Sequence, residues 1–250
     1  MKRLLAALLL TLLPSTCYAA IAFDVVNIGA AGTGNLSWTH TPSGTPRGVL
    51  ILCAVFSSTA NEIGAGSNVT YGGVATTIVS GSPVIKSSGE TGSVYGYFLG
   101  ASVPTGAQTV SVTVSGASTK RCSSITVTAS TDTSVEDTDT ISSDSLDDPG
   151  GTLTTTVDTF IAAVMIFGDV TLGNVAPIAG YTDPLESNPC CAELISLIRR
   201  TSIASSGSVS YGWTTSAADD TIAIAVAIRE GVAGSVGSPG VGWAIGGFPH

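Results

Sequence analysis

A serine, threonine or cysteine becomes a strong nucleophile only when a base stands beside it, and bases are scarce in this chain. It holds two histidines, His40 and His250. His250 is the last residue, and His40, in "SWTHTP", sits in a short strand-like run and reads as a partly buried structural histidine. No GxSxG, HExxH or Walker pattern occurs. "GAAGTGN" (29–35) has the glycines of a phosphate loop but lacks the lysine and the following helix. Two carboxylates facing each other could hydrolyse a glycoside. Most of the acids, however, cluster in turn-like segments, and Asp24 and Glu193, which lie nearer to strands, are far apart in sequence. The chain is therefore expected to be no enzyme, with no catalytic residue and no cofactor.

Past residue 19 there are four cysteines: Cys53, Cys122, Cys190 and Cys191. Cys53, inside "VLILCAVF", reads as a buried apolar thiol. Cys122 is a candidate disulfide partner of Cys190 or Cys191, the adjacent pair in "SNPCCAE". No histidine neighbours that pair and no CxxC spacing exists, so no metal site is expected there. The acids of 131–148 are Asp132, Glu136, Asp137, Asp139, Asp144, Asp147 and Asp148. Calcium takes six to eight oxygens, but this run lacks the D-x-[DN]-x-[DN]-G spacing with a closing glutamate. It is expected to be a solvated face.

Aromatic residues offer the remaining chemistry, which is binding. Tyr211 and Trp213, in "SYGWTTS", share a strand face and, with Trp38, are candidate platforms for sugar rings. The C-terminal stretch "GVAGSVGSPGVGWAIGGFPH" (231–250) has no Lys, Arg, Asp or Glu and carries Val241, Trp243, Ile245 and Phe248. The tail reads either as a segment packed on its own domain or without fixed structure, or as an assembly arm, with Trp243 and Phe248 as candidate contacts, that docks on a neighbouring subunit by adding a strand to an exposed edge.

The elements that must hold these residues are almost all strands. Residues 1–19 read as a secretory signal peptide: Lys2 and Arg3, an apolar run from Leu4 to Leu13, and a small residue, Ala19, before the cut. A lipidated Cys17 fits "LPST" poorly. Without the leader the charge is 9 − 2 = 7 basic against 18 acidic residues, a net −11. An acidic chain with no basic cluster argues against nucleic acid and anionic membranes as partners, and no membrane insertion is expected after cleavage. Export to the periplasm, cell surface, exterior or a particle surface permits disulfides.

From residue 20 to 230, strand-like runs recur about every ten residues, with no sustained helical periodicity and no exact internal repeat. "VLILCAVF" is apolar on both faces, which marks a strand covered on both sides. "QTVSVTVSG" and "CSSITVTAS" alternate, with Val or Ile facing in and Ser or Thr facing out. In "TIAIAVAIRE" isoleucines and a valine line one face and alanines the other. "NVTYGGVATTIV" (68–79) reads as a hairpin turning at Gly72-Gly73, since a type I′ turn needs positive φ at both central residues. Val69, Tyr71, Val74 and Ile78 are expected on its apolar face, with Tyr71 a core tyrosine whose hydroxyl is satisfied. The pattern predicts an all-β, two-sheet antiparallel β-sandwich of jelly-roll type, followed by the uncharged tail.

"LSWTHTPSGTPRGVLIL", "NVTYGGVATTIV", "GYFLGASVPTGAQTVSVTVSG" and "TIAIAVAIRE" together resemble an uncharacterised group of bacterial secreted and tailed-phage surface proteins. The resemblance spans roughly residues 22–230 and rests on strand-and-turn motifs. It implies a structural or adhesive β-sandwich displayed on a cell or virion, and it carries no catalytic site to transfer. The expected role is that of a non-enzymatic surface or assembly protein, with a carbohydrate-binding or adhesin module as the alternative.

Overall fold

The computed structural model describes residues 21–56, 62–89, 91–156, 159–168, 175–190, 193–203 and 206–231, with backbone alone at 186–190, 193 and 201–203. The expected signal peptide at 1–19 and the stretch beyond Gly231 lie outside this set. The described residues are nearly all β. The first half contributes β1 (Ala22–Ile28), β2 (Leu36–His40), β3 (Gly48–Val55), β4 (Val69–Tyr71), β5 (Val74–Ala75), β6 (Thr77–Ile78), β7 (Val84–Lys86), β8 (Gly92–Leu99), β9 (Gln108–Val112) and β10 (Lys120–Thr128). The second contributes β11 (Thr133–Leu146), β12 (Gly150–Thr155), β13 (Thr159–Phe167), β14 (Val175–Pro177), β15 (Thr182–Cys190), β16 (Glu193–Ile203), β17 (Gly207–Thr215) and β18 (Asp219–Glu230).

These strands form four antiparallel sheets where two were expected. Their orders are β1-β10-β3-β8-β6 with β7 also on β8, β2-β9-β4-β5, β11-β18-β13-β16-β15, and β12-β17-β14. Three apolar cores separate the sheets and define the layers. Leu50, Leu52 and Ile125 of the first sheet meet Val164, Ile224 and Val226 of the third. The opposite face of the first sheet, including Val49, Ile51 and Tyr97, packs on Tyr71 and Val110 of the second sheet. The opposite face of the third, with Ile161, Ala163 and Ala225, packs on Leu153, Tyr211 and Trp213 of the fourth. The two large sheets lie back to back in the middle, and each carries a smaller sheet outside.

The layering explains why β3 and β13 are apolar without alternation. Every residue of both strands is buried, because both faces of a central sheet are covered. β18 splits by parity as its sequence predicts. Ile222, Ile224, Val226 and Ile228 enter the central core, and Ala223, Ala225 and Ala227 enter the outer one. The alanine face leaves room for Tyr211 and Trp213 opposite, a small-against-large fit that keeps the layer densely packed.

No exact sequence repeat is visible, yet the two halves share one connectivity. Pairings β1·β10, β10·β3, β3·β8, β2·β9 and β9·β4 recur as β11·β18, β18·β13, β13·β16, β12·β17 and β17·β14. β15 takes the place that β6 and β7 share at the edge of the first large sheet. The domain is a topological duplication fused through its central core.

The hairpin forms as its glycines dictate. Tyr71 pairs with Val74, and φ is +57° at Gly72 and +80° at Gly73. A Cβ on Gly72 would also lie 2.4 Å from Gln108 Oε1. The expected apolar face is only half realised. Val69 and Tyr71 are buried, whereas Val74 and Ile78 are more than a third exposed. The reason is Thr76, which turns inward and donates its hydroxyl to the Val69 and Gly66 carbonyls. The chain leaves the second sheet there and joins the first as β6. Tyr71 is in the core, but its hydroxyl has no hydrogen-bond partner among the described residues.

The disulfide expectation is corrected. Cys122 bonds to Cys53, not to Cys190 or Cys191, because β3 and β10 are neighbours and their register sets the two cysteines directly opposite. Both point into the core beneath the second sheet, so the apolar surroundings of Cys53 concealed a bridge partner. Cys191 and the side chain of Cys190 lie outside the described residues.

Two outcomes check this architecture. Gly72→Val should cost on the order of 1–3 kcal/mol, since a β-branched residue is an outlier at positive φ, while Ser111→Ala stays within about 0.5 kcal/mol; equal midpoints in denaturant would contradict the hairpin. Peptide mapping of unreduced protein should recover the Cys53–Cys122 link. Closing a loop between residues separated by 69 positions stabilises by about 4 kcal/mol in the chain-entropy account, so Cys53→Ala with Cys122→Ala should show a loss of that order.

Candidate functional site

The one histidine among the described residues stands in a constellation that resembles nucleophile chemistry. β10 presents Ser124 and Thr126 on one face, two residues apart, toward the gap under β2. The sequence reading placed such hydroxyls in solvent; both are fully buried, because β10 is covered on both sides. His40 reaches across from β2. Its Nδ1 lies 2.7 Å from Ser124 Oγ and its Nε2 3.0 Å from Thr126 Oγ1. Thr126 in turn donates to Asp24 Oδ2 at 3.0 Å. That direction assigns the tautomer: Nε2–H donates to Thr126, and Nδ1 accepts from the Ser124 hydroxyl. Trp38 Nε1 donates to the same Ser124 oxygen at 3.0 Å.

Serine, histidine and an acid are thus linked in series, but the serine and the histidine are sealed, while Asp24 is half-buried. His40 and Ser124 have no exposed surface. Burial pushes the imidazole down to about 4, against an opposing pull from Asp24, so the ring is neutral across the physiological range. Asp24 also accepts the N–H groups of Ser43 and Gly44 at 3.2 and 3.1 Å. The network ties β1, β2, β10 and the 43–44 turn together. His40, expected to be partly buried, is wholly buried and bridges β2 to β10 through both ring nitrogens.

The acidic segment is corrected in one respect. Expected to be a solvated face with one edge strand near Val135, 133–146 forms β11, a strand of 14 residues, while its acids are exposed or half-buried. Its carboxylates accept backbone N–H groups of the neighbouring β12 and the residue after it. Asp139 Oδ2 takes Thr152 N–H at 3.1 Å, Asp137 Oδ2 takes Thr154 N–H at 2.6 Å, and Glu136 Oε1 takes Thr156 N–H at 3.0 Å. These donors alternate along β12 and point away from its partner β17, so the carboxylates substitute for a missing strand. Asp137 and Asp139 also cap Thr138 and Thr140 of β11 through their other oxygens, both at 2.9 Å. Gly151 permits the close approach, since a Cβ there would stand 2.1 Å from Asp139 Oδ2. Further along, Asp144 and Asp220 flank the buried Lys86 ammonium, and Asp147 and Asp148 bond Thr215. Asp132 lies 3.9 Å from Arg47. The spacing of two between Asp137 and Asp139, matching that of Thr154 and Thr152, is the signal that could have revealed this ladder, with Glu136 joining it at a bulge in β11.

The proposed sugar platforms face the wrong way. Tyr211 and Trp213 are buried in the outer core of the second half. The Trp213 indole donates to Ser196 Oγ at 2.8 Å, and the Tyr211 hydroxyl donates to Asp139 Oδ2 at 3.2 Å. Trp38 is half-buried and committed to Ser124. Trp243 and Phe248 lie outside the described residues.

Two concavities are lined by described residues. A trough of about 420 Å³ runs over Gly150, Gly151 and Gly212 on the fourth sheet. A larger cleft, about 720 Å³, opens where the halves meet at one edge of the central core, between β6, the end of β8 and the start of β11. Ile78, Phe98, Leu99 and Val135 line it, with Glu136 and Asp137 on its rim. Its size is that of a small-ligand or side-chain pocket. Sequence reasoning missed it because Ile78 was assigned to the buried face of the hairpin. No protein-family model, curated protein or solved structure matches the chain.

The buried histidine sets an acid limit on stability. With the folded value near 4 and the unfolded one near 6.5, the unfolded chain binds the extra proton. The stabilisation is complete above about pH 6.5 and fades as pH falls toward 4, by roughly 3 kcal/mol in all. Denaturation midpoints against pH should show this limb, and His40→Gln should flatten it. The carboxylate ladder predicts that Asp137→Ala with Asp139→Ala lowers stability by about 1–3 kcal/mol. Because N–H groups already occupy these oxygens, melts of the parent chain in calcium and in EGTA should agree within about 2 °C.

Proposed function

We propose that this chain is a non-enzymatic, exported surface or assembly protein whose working part is the β-sandwich body itself. The observation that carries this reading is the fate of its reactive side chains. In the only Ser–His–acid series among the described residues, the serine and the histidine are sealed between two sheets and the series joins strands. The acidic run, the other concentration of chemistry, is bonded along β12. The leader at residues 1–19 supports export, and the buried Cys53–Cys122 bridge suits an oxidising compartment. The resemblance to secreted and phage surface proteins points the same way, and the uncharged tail supplies a means of contact with a protein partner or another copy. The glycan-binding alternative loses Tyr211 and Trp213, which are core residues.

The test is fractionation of producing cells followed by light scattering. The chain should be recovered outside the cytoplasm with residue 20 at its N-terminus and the 53–122 bridge formed. The full chain should self-associate at micromolar concentration, and a chain ending at Gly231 should not. A cytoplasmic, reduced, monomeric product would contradict the proposal. Glycan-array binding that survives removal of the tail would favour the alternative.

A further inference from the structure

We propose that the cleft between β6, β8 and β11 is the receptor for the chain's own C-terminal segment, residues 241–246, which seats Val241, Trp243 and Ile245 there. The inference deepens the assembly reading above and rests on its view of the tail as a docking arm.

Four observations lead to it. The first is the lining. Phe98 and Val135 pack on the edge of the central core and Leu99 on the core beneath the second sheet, so the floor is apolar and continuous with the interior. Ile78, on the wall, is one of two large apolar residues more than a third exposed among those described. The second is position. Gly231, the last described residue, donates its N–H to Asp132 O at 2.7 Å, and its own carbonyl accepts from Thr131 Oγ1 at 2.9 Å. The next residue along, Thr133, lines the cleft and donates to Gly100, which lines it too. The tail therefore leaves the body beside one end of the cleft. The third is reach: 250 − 231 = 19 residues span up to about 60 Å when extended, so Val241 and its successors can enter from their own body or from a neighbour's.

The fourth is chemistry. Val241, Trp243 and Ile245 alternate with Gly242, Ala244 and Gly246. Over 241–246 an extended chain of that period places three large apolar side chains on one face and almost nothing on the other, and Phe248, of the opposite parity, lies beyond this strip. Such a strip lies flat in a groove. The rim carries Glu136 and Asp137, and the body is strongly acidic, which disfavours an acidic occupant; 232–250 bears no charged side chain. Since Asp137 and Asp139 already cap the N–H groups of Thr138 and Thr140, the segment is held by inserted side chains and not by extending β11 at those positions. This replaces the strand-addition mode expected from sequence.

The experiment places a photo-crosslinking phenylalanine analogue at Trp243 in the full chain and maps the products by mass spectrometry. Crosslinks should fall in 77–80, 98–101 and 133–138. Ile78→Glu, and independently Ser80→Arg on the exposed rim, should each lower the yield about tenfold, the change produced by roughly 1.4 kcal/mol of lost contact. Two variants on an exposed wall and rim guard against one that fails to fold. Products of single-chain mass place the tail on its own body, and products of double mass place it on a neighbour. Either supports the cleft as receptor, while a purely single-chain result removes the tail as support for assembly. Crosslinks mapping elsewhere, no product, or yields unchanged in both variants would overturn the proposal.

Discussion

Burying both faces of two sheets at once is the constraint on which this structure depends. The core formed by Leu50, Leu52, Ile125, Val164, Ile224 and Val226 joins the halves. Each large sheet must be apolar there and again on its far side, where a smaller sheet covers it. A sheet in that position has no solvent face on which to leave polar groups, and a buried polar group without a partner costs a few kcal/mol. Hydroxyls and imidazoles near the middle layers are therefore mostly bonded inside the protein, the Tyr71 hydroxyl being an exception among the described residues. His40 with Ser124 and Thr126, and Trp213 with Ser196, are two inner solutions to that requirement.

The halves share a connectivity but meet the requirement differently. In the first, the outer core holds the Cys53–Cys122 bridge and the histidine network. In the second, the same strand pair sets Met165 opposite Ala223, and the layer is filled by alanines against Tyr211 and Trp213. Edges differ as well. β12 is an edge strand whose outward N–H groups would invite another chain, and the carboxylates of β11 close it. The same acids keep part of the edge of β11 closed.

Several contacts cross the junction between the halves and give it specificity beyond apolar burial. Arg199 of β16 stacks its guanidinium 3.5 Å from the ring centre of Phe23 on β1, a cation–π contact strengthened by partial desolvation. Lys86 of β7 lies between Asp144 and Asp220 of the other half. Thr133 donates its hydroxyl to Arg47 O at 2.7 Å. These groups fix how one sandwich sits on the other, and the cleft at their margin exists because two separate sheets end there together.

The sequence by itself determined the local terms: strands in place of helices, the Gly72-Gly73 turn, β3 covered on both faces, the two faces of β18, and a structural role for His40. Each of these depends on period, β-branching or positive φ, which neighbours in the chain impose on one another. Tertiary structure decided the rest, because the deciding partner is distant in sequence. Whether Ser124 and Thr126 meet water or a histidine depends on β2 lying over β10. Cys122 finds Cys53 through a strand register 69 residues long in the making. Asp137 and Asp139 serve β12 because the chain turns a corner at 147–149 and brings its donors alongside at the same period of two. Tyr211 and Trp213 were legible as sharing a face, but only the layer of alanines opposite made that face the inner one.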